Sequence, residues 1–74
     1  MKINYVATVK AIIVFDGVFN YDGMKDAWHS LEECVNKAVF YMSEYCFDKA
    51  TIVDYGTGEV LVELESEECN LFTS

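Results

Sequence analysis

Seventy-four residues can bury only about 60% of the surface that the unfolded chain would expose, which leaves a small core. The composition is 53% hydrophobic and 15% aromatic, which excludes a disordered chain despite a net charge of -8. Thirteen acidic residues face five lysines and no arginine, so the planar cation that pairs with phosphate is absent. The composition therefore argues against direct nucleic-acid binding. The charge points to a basic protein partner, or simply to solubility.

Three cysteines, Cys34, Cys46 and Cys69, form no CxxC pair and are odd in number, so neither a disulfide framework nor a zinc knuckle is indicated. Free thiols are typical of a reducing cytoplasm. The sequence shows no charged leader before an apolar segment and no apolar run of about 18 residues. We therefore expect a cytoplasmic protein that neither enters a membrane nor needs a cofactor.

Residues 3–15 alternate between apolar and more polar side chains, as a half-buried strand does. The side expected to face the core carries Ile3, Tyr5, Ala7, Val9, Ala11, Ile13 and Phe15. An Asp-Gly dipeptide follows, which is a strong signal for a two-residue hairpin turn. In that register Val14 faces Phe19 and Ile12 pairs with Tyr21, so both aromatic residues would lie on the opposite side of the sheet.

The period changes to that of a helix from Met24 onward. Apolar residues recur at steps of three or four and form one stripe, which consists of Met24, Trp28, Leu31, Val35, Ala38, Met42 and Tyr45. This stripe predicts a continuous helix near residues 24–45. Ser30, with Glu33 three positions later, forms a capping box, so a helix that starts at Ser30 is the alternative.

A second hairpin is predicted after the helix, with strands at residues 50–55 and 59–65 around a glycine-rich turn. The residues of its last strand that are expected to point inward are Val60, Val62 and Leu64. Residues 1–65 would then form one compact domain, followed by an acidic C-terminal tail at residues 66–74.

The order of elements predicts an α+β fold, namely a four-stranded antiparallel sheet in the order β-β-α-β-β with one helix packed on one face. The other face of the sheet stays uncovered, and an uncovered apolar face is typical of a subunit interface. A homodimer could form there, and the expected residues of this face are Ile12, Val14, Phe19, Tyr21 and Leu61.

Asp26, His29 and Glu33 are spaced three and four apart, so a helix would stack them where they could hold a divalent metal. Such spacing arises easily by chance, and the chain has a single histidine. A solvated helix face is therefore the preferred interpretation, and no metal is predicted. Cys34 falls on the apolar side of the helix, which favours core packing over catalysis. We expect no enzymatic activity.

Phe40 lies about 180° from the centre of the helix stripe, so it should face solvent among polar neighbours. Such a residue is either an interface anchor with a polar rim or a solitary surface phenylalanine. Carboxylates along the last strand could imitate a phosphate backbone, or could protect an edge strand from aggregation. The expected partner-binding residues are Glu33, Phe40, Glu44, Glu59, Glu63, Glu65, Glu67 and Glu68.

In its size, acidity, lack of arginine and economy of strands and one helix, the chain resembles small phage-encoded inhibitors of host defence, such as anti-CRISPR proteins and DNA mimics. The resemblance implies stoichiometric binding, in which an acidic surface occupies the basic nucleic-acid groove of a defence complex in the host cytoplasm. We therefore expect a non-enzymatic inhibitor. The alternative is a structural or assembly protein that forms a homodimer through the uncovered face of its sheet.

Overall fold

A computed structural model describes residues 7–66, which have an α+β arrangement. The elements are β1 (Thr8–Val9), β2 (Ala11–Phe15), β3 (Phe19–Tyr21), β4 (His29–Ser30), α1 (Leu31–Tyr45), β5 (Lys49–Asp54) and β6 (Val60–Glu65). Four strands make an antiparallel sheet in the order β3-β2-β5-β6, and β1 pairs with β4 in a separate two-stranded sheet. The α+β class, the four-stranded antiparallel sheet and the helix are confirmed, whereas the two-stranded sheet departs from the predicted order. The single strand predicted over residues 3–15 is wrong, because its described part is divided at Lys10 between the two sheets, and β4 was not predicted.

The core lies between α1 and one face of the four-stranded sheet. Ala11, Ile13 and Phe15 of β2 are fully buried, as are Ala50 and Ile52 of the neighbouring β5. Because side chains alternate across a strand, these residues share one face. The helix covers that face with Leu31, Cys34, Ala38 and Met42. The predicted inward side of β2 is therefore confirmed, while Ile3 and Tyr5 lie outside the described residues.

The helix begins after Ser30, so the continuous helix from Met24 is wrong and the alternative start is confirmed. The Ser30 hydroxyl accepts a hydrogen bond from the Glu33 amide at 3.1 Å, and the Glu33 carboxylate accepts one from the Ser30 amide at 3.0 Å. Such a cap stabilises a helix by about 1 kcal/mol. Met24 still joins the core, but from the loop that precedes β4.

The turn between β2 and β3 forms at the Asp-Gly dipeptide, as predicted. Asp16 and Gly17 have φ angles of 53° and 75°, and the Val18 amide donates to the Phe15 carbonyl at 3.1 Å. Positive φ at both central residues is what a type I′ turn requires. Val18 is then an additional residue before β3, and its side chain is exposed.

This additional residue shifts the strand register by one position. The observed pairs are Phe15 with Phe19, Val14 with Asn20 and Ile13 with Tyr21. A shift of one residue moves every side chain of a strand to the other face. The predicted pairing was therefore wrong, and Phe19 and Tyr21 lie on the helix side of the sheet together with Phe15.

A β-bulge changes the last strand as well. Ile52 pairs with Val62 and Val53 pairs with Val60, which leaves Leu61 without a partner in the ladder. Leu61 packs against the buried core, whereas Val60 is exposed. The expected inward position of Val60 and the expected outward position of Leu61 were both wrong, because the bulge adds one residue between two paired positions.

Candidate functional site

A groove lined by aromatic side chains runs between β3 and the C-terminal half of α1. Its volume is about 410 Å³, within the range of small-ligand pockets. The lining residues are Phe19, Tyr21, Tyr41, Tyr45 and Phe47. We call this feature the aromatic groove. Three of these residues, Tyr41, Tyr45 and Phe47, were not among the sequence-predicted sites.

Local geometry explains how two elements supply the walls of the aromatic groove. Phe19 and Tyr21 are two positions apart in β3, so they point to the same face. Tyr41 and Tyr45 are four positions apart in α1, so they lie one above the other on the same flank. This spacing of tyrosines was the one signal in the sequence that could have indicated the helical wall.

Phe47 reaches the aromatic groove because the helix ends in a left-handed residue. Cys46 has a φ angle of 60°, and the Phe47 amide donates to the Met42 carbonyl at 3.1 Å. The chain then folds back over the sheet, and the Phe47 ring stacks on Phe15 with 4.7 Å between ring centroids. The fully buried Phe15 thus supports the groove from below.

The rings of the aromatic groove form a continuous network. The centroid distances are 5.8 Å for Phe19 and Phe47, 5.0 Å for Tyr21 and Tyr41, 5.7 Å for Tyr41 and Tyr45, and 6.1 Å for Tyr45 and Phe47. Phe19 and Tyr45 are 51% and 62% exposed. Exposed aromatic residues that already hold one another in place form a rigid apolar surface, which is typical of binding sites.

Carboxylates lie at the start of β5, which begins two residues after Phe47 of the aromatic groove. Asp16 accepts hydrogen bonds from the amides of Asp48 and Lys49 at 2.8 and 3.0 Å, and the Ser66 amide donates to the Asp48 carbonyl at 2.8 Å. Asp48, Lys49, Glu65 and Ser66 border a depression of about 280 Å³. We call the carboxylates of this region the acidic end, and its members are Asp16, Asp48 and Glu65. Glu44, which was also predicted to bind a partner, is exposed in the last turn of α1.

The predicted partner-binding residues are divided between different parts of the molecule. Glu33 and Phe40 lie on α1, where they border a depression of about 460 Å³ together with Met24, His29, Asn36 and Lys37. Phe40 is 57% exposed, so its predicted exposure is confirmed, whereas its role as an anchor stays a prediction.

The predicted partner-binding residues of the last strand lie in the sheet layer, away from Phe40. Glu63 and Glu65 share one face of β6, and Glu65 is at the acidic end. Glu59 lies at the opposite end of this strand, where its carbonyl accepts from the Asp54 amide at 2.8 Å. Glu67 and Glu68 are outside the described residues.

The triplet proposed as a chance metal site does not stack on a helix, because Asp26 and His29 precede α1. Asp26 lies 3.7 Å from the Lys25 ammonium, and His29 Nδ1 lies 3.8 Å from Glu33 Oε1. Within residues 7–66, no three His, Cys, Asp or Glu side chains lie together as metal ligands would.

Cys34 lies on the buried side of the helix, as its position in the apolar stripe indicated. Burial raises the pKa of the Cys34 thiol, and the nearby Glu33 charge raises it further. The thiolate is the nucleophilic form of cysteine, so these surroundings make Cys34 less reactive than a free thiol. The environment of Cys34 is that of a core residue.

The face of the sheet opposite α1, which we call the open face, differs from the predicted one. Ile12 and Val14 lie on it as expected, but Phe19, Tyr21 and Leu61 do not. Val53 and Val60 take their place, since the ladder pairs Ile12 with Val53 and Val53 with Val60. The open face therefore carries a small aliphatic patch rather than an aromatic one.

No family model, curated protein or solved structure matches this chain. No helix in the described part of the chain has both the length and the apolar character that crossing a membrane requires. The surfaces of the described residues that could bind a partner are the aromatic groove, the acidic end and the open face.

Proposed function

We propose that this chain is a non-enzymatic acidic protein that binds a basic surface of a nucleic-acid-handling complex, such as a CRISPR-type host-defence complex, and blocks it. The observation that carries the proposal is the net charge of -8 without any arginine, together with exposed carboxylates on β6 and at the acidic end of a molecule that also presents an aromatic groove. Protein interfaces combine a core rich in aromatic residues with a polar rim. Negative charge around such a core accelerates encounter with a basic partner and disfavours acidic ones.

The spacing of the carboxylates on β6 supports electrostatic recognition. Glu63 and Glu65 are both exposed, and they pair with Thr51 and Lys49 across the ladder. Residues two apart in a strand are separated by about 7 Å. A row of negative charges at a regular distance is a suitable counterpart for a surface that normally holds a phosphate backbone.

Reversal of these charges tests the proposal. In affinity capture from a cell lysate, the wild-type chain is expected to enrich a basic nucleic-acid-binding complex and to displace its nucleic acid. The double variant Glu63→Lys, Glu65→Lys should bind the captured complex roughly tenfold more weakly at low salt, because attraction becomes repulsion. The difference should shrink as salt screens the charges. Biolayer interferometry at two salt concentrations measures both effects.

A matched control is the double variant Asp22→Lys, Asp26→Lys, which changes the net charge equally. Both residues are exposed and lie in the loop after β3, at the end of the sheet opposite Asp16. We expect a smaller loss of affinity for this control. Equal binding by the wild type and the Glu63/Glu65 variant, or a captured complex that keeps its nucleic acid, would contradict the proposal.

A homodimer is the second candidate, and the observation that favours it is the aliphatic patch of the open face. Ile12, Val14 and Val53 are only half-buried, and Val60 is 50% exposed. Apolar residues at neighbouring ladder positions are what a face-to-face sheet interface would cover. Light scattering of the purified chain tests this candidate. A mass of twice 8.4 kDa supports it, and a monomer at high concentration excludes it.

A further inference from the structure

We propose that the aromatic groove binds the side chain of an arginine carried by an extended basic segment of the partner protein. This inference rests on the proposed function, because it names the side chain by which a basic partner would be recognised. It goes beyond overall charge, since it assigns a defined cation site at the Phe19, Tyr45 and Phe47 end of the groove.

Aromatic faces attract cations through their electron-rich rings. The protein already uses this interaction elsewhere, with Lys10 at 5.0 Å from the Trp28 ring and Lys25 at 5.9 Å from the Tyr55 ring. Among the rings of the groove, Tyr41 is approached by Lys37, whose ammonium nitrogen lies 5.8 Å from the ring centroid. No lysine of residues 7–66 lies over the other rings of the groove, so Phe19, Tyr45 and Phe47 are available to a cation from outside.

The C-terminal end of α1 adds negative potential at the same place. The amides of Cys46 and Phe47 both donate to the Met42 carbonyl. The carbonyls of residues 43–45 therefore accept neither of these two hydrogen bonds. The carbonyl end of a helix carries about half a negative charge, which favours cations. The last turn of α1 contains no basic residue to neutralise it.

Acidic residues also flank this segment of the chain. Glu44 precedes Tyr45 and Asp48 follows Phe47, and both are exposed, so the segment that ends α1 carries two negative charges and no positive one. A guanidinium group can stack its plane on a ring while its edge donates hydrogen bonds to carboxylates. An ammonium group has no such plane, which is why arginine is the side chain that the arrangement favours.

The geometry also indicates the form and the source of the ligand. Within residues 7–66, β3 pairs with β2 alone, so its outer edge is unpaired beside the aromatic groove. An extended peptide can lie along such an edge and insert alternate side chains into a neighbouring pocket. The chain contains no arginine, so a second copy of itself cannot supply the ligand. The arginine must come from a different protein.

Defined peptides test this inference without the unidentified partner. The probes are a synthetic hexapeptide with two arginines, its citrulline counterpart of nearly equal shape, and its lysine counterpart. Each is titrated into the isotope-labelled full chain and followed by amide chemical shifts. We expect the arginine peptide to bind at least fivefold more tightly than either counterpart. The largest shifts should occur at Phe19, Tyr45 and Phe47, whereas the indole signal of Trp28 should not move.

Substitution of Tyr45 should weaken binding of the arginine peptide at least fivefold. Tyr45→Leu keeps apolar volume and removes the aromatic face, and Tyr45→Ala removes both. Tyr55→Ala is the matched control, because Tyr55 lies outside the groove and is 52% exposed, compared with 62% for Tyr45. Its effect should stay within twofold. Amide spectra of each free variant show whether the fold is kept.

Three results would overturn the inference, namely equal binding of the arginine and citrulline peptides, unchanged binding by Tyr45→Leu, or shifts centred on β6. Equal binding of the lysine peptide would overturn the choice of arginine. A different result would contradict the proposed function without contradicting the arginine site. If the arginine peptide binds the groove but the Glu63/Glu65 variant captures the complex as well as the wild type, recognition by the acidic strand is wrong and the groove site stands.

Discussion

Replacing Phe15 with alanine is expected to lower the free energy of unfolding by about 3–5 kcal/mol. Phe15 is fully buried. Its ring stacks on Phe47 with 4.7 Å between ring centroids and meets the Tyr41 ring edge-on with 6.2 Å between centroids. A chain of 74 residues has a total stability of about 4–11 kcal/mol, so the variant should be close to unfolding at 25 °C. Urea denaturation followed by circular dichroism measures the loss.

The same substitution at Phe40 is the matched control for Phe15→Ala. Phe40 is exposed, and its ring meets the Tyr41 ring edge-on with 5.4 Å between ring centroids. We expect Phe40→Ala to cost about 1 kcal/mol or less, because little apolar surface is returned to water and one aromatic pair is lost. If both variants lost the same stability, Phe15 would not be the support of the core and of the aromatic groove.

Asp16→Ala is expected to lower the free energy of unfolding by about 1–3 kcal/mol. One carboxylate oxygen of Asp16 accepts two backbone hydrogen bonds, from Asp48 at 2.8 Å and from Lys49 at 3.0 Å. These bonds tie the first hairpin to the start of β5, across more than thirty residues of chain. Alanine removes both bonds and also tolerates the φ angle of 53° less well than aspartate does. Thermal and urea unfolding measure the change.

Two further variants test how much the hydrogen bonds of Asp16 contribute to the loss of stability. Asp16→Asn keeps an oxygen acceptor and a side chain that accepts positive φ, so we expect a loss of about 1 kcal/mol. Asp22→Ala removes another exposed loop carboxylate and should change stability by about 0.5 kcal/mol or less. A loss for Asp22→Ala as large as that for Asp16→Ala would show that the long-range hydrogen bonds of Asp16 contribute little.

Local patterns predicted β2, the start of α1 and the second hairpin because the relevant interactions are local, whereas the pairing of β1 with β4 joins distant residues and was not predicted. Alternation along β2 places Ile13 and Phe15 in the core, and a half-buried strand needs only this period of two. The capping box at Ser30 uses two bonds between residues three apart, so its sequence signature fixes where α1 begins. The stripe that suggested an earlier start included loop residues, since Met24 reaches the core without being helical.

The candidate site could be predicted only in part. The exposure of Phe40 followed from its angle on the helix, and Glu63 and Glu65 are exposed on one face of β6 as their alternation indicated. The aromatic groove could not be predicted, because it joins β3 to the end of α1 and to Phe47. Its assembly depends on the register of a hairpin and on the direction in which the chain leaves the helix.

The sequence by itself determined the core face of β2, the hairpin of β5 and β6, the cap of the helix, the Asp-Gly turn and the acidic charge, all of which depend on neighbouring residues or on composition. Only the tertiary structure decided which face of the sheet receives the aromatic side chains. The Asp-Gly turn is compatible with Phe15 opposite either Val18 or Phe19. The observed register brings Phe19 and Tyr21 to Phe47 and Tyr41, and the contacts between these rings favour it over a register that would place Phe19 and Tyr21 on the open face.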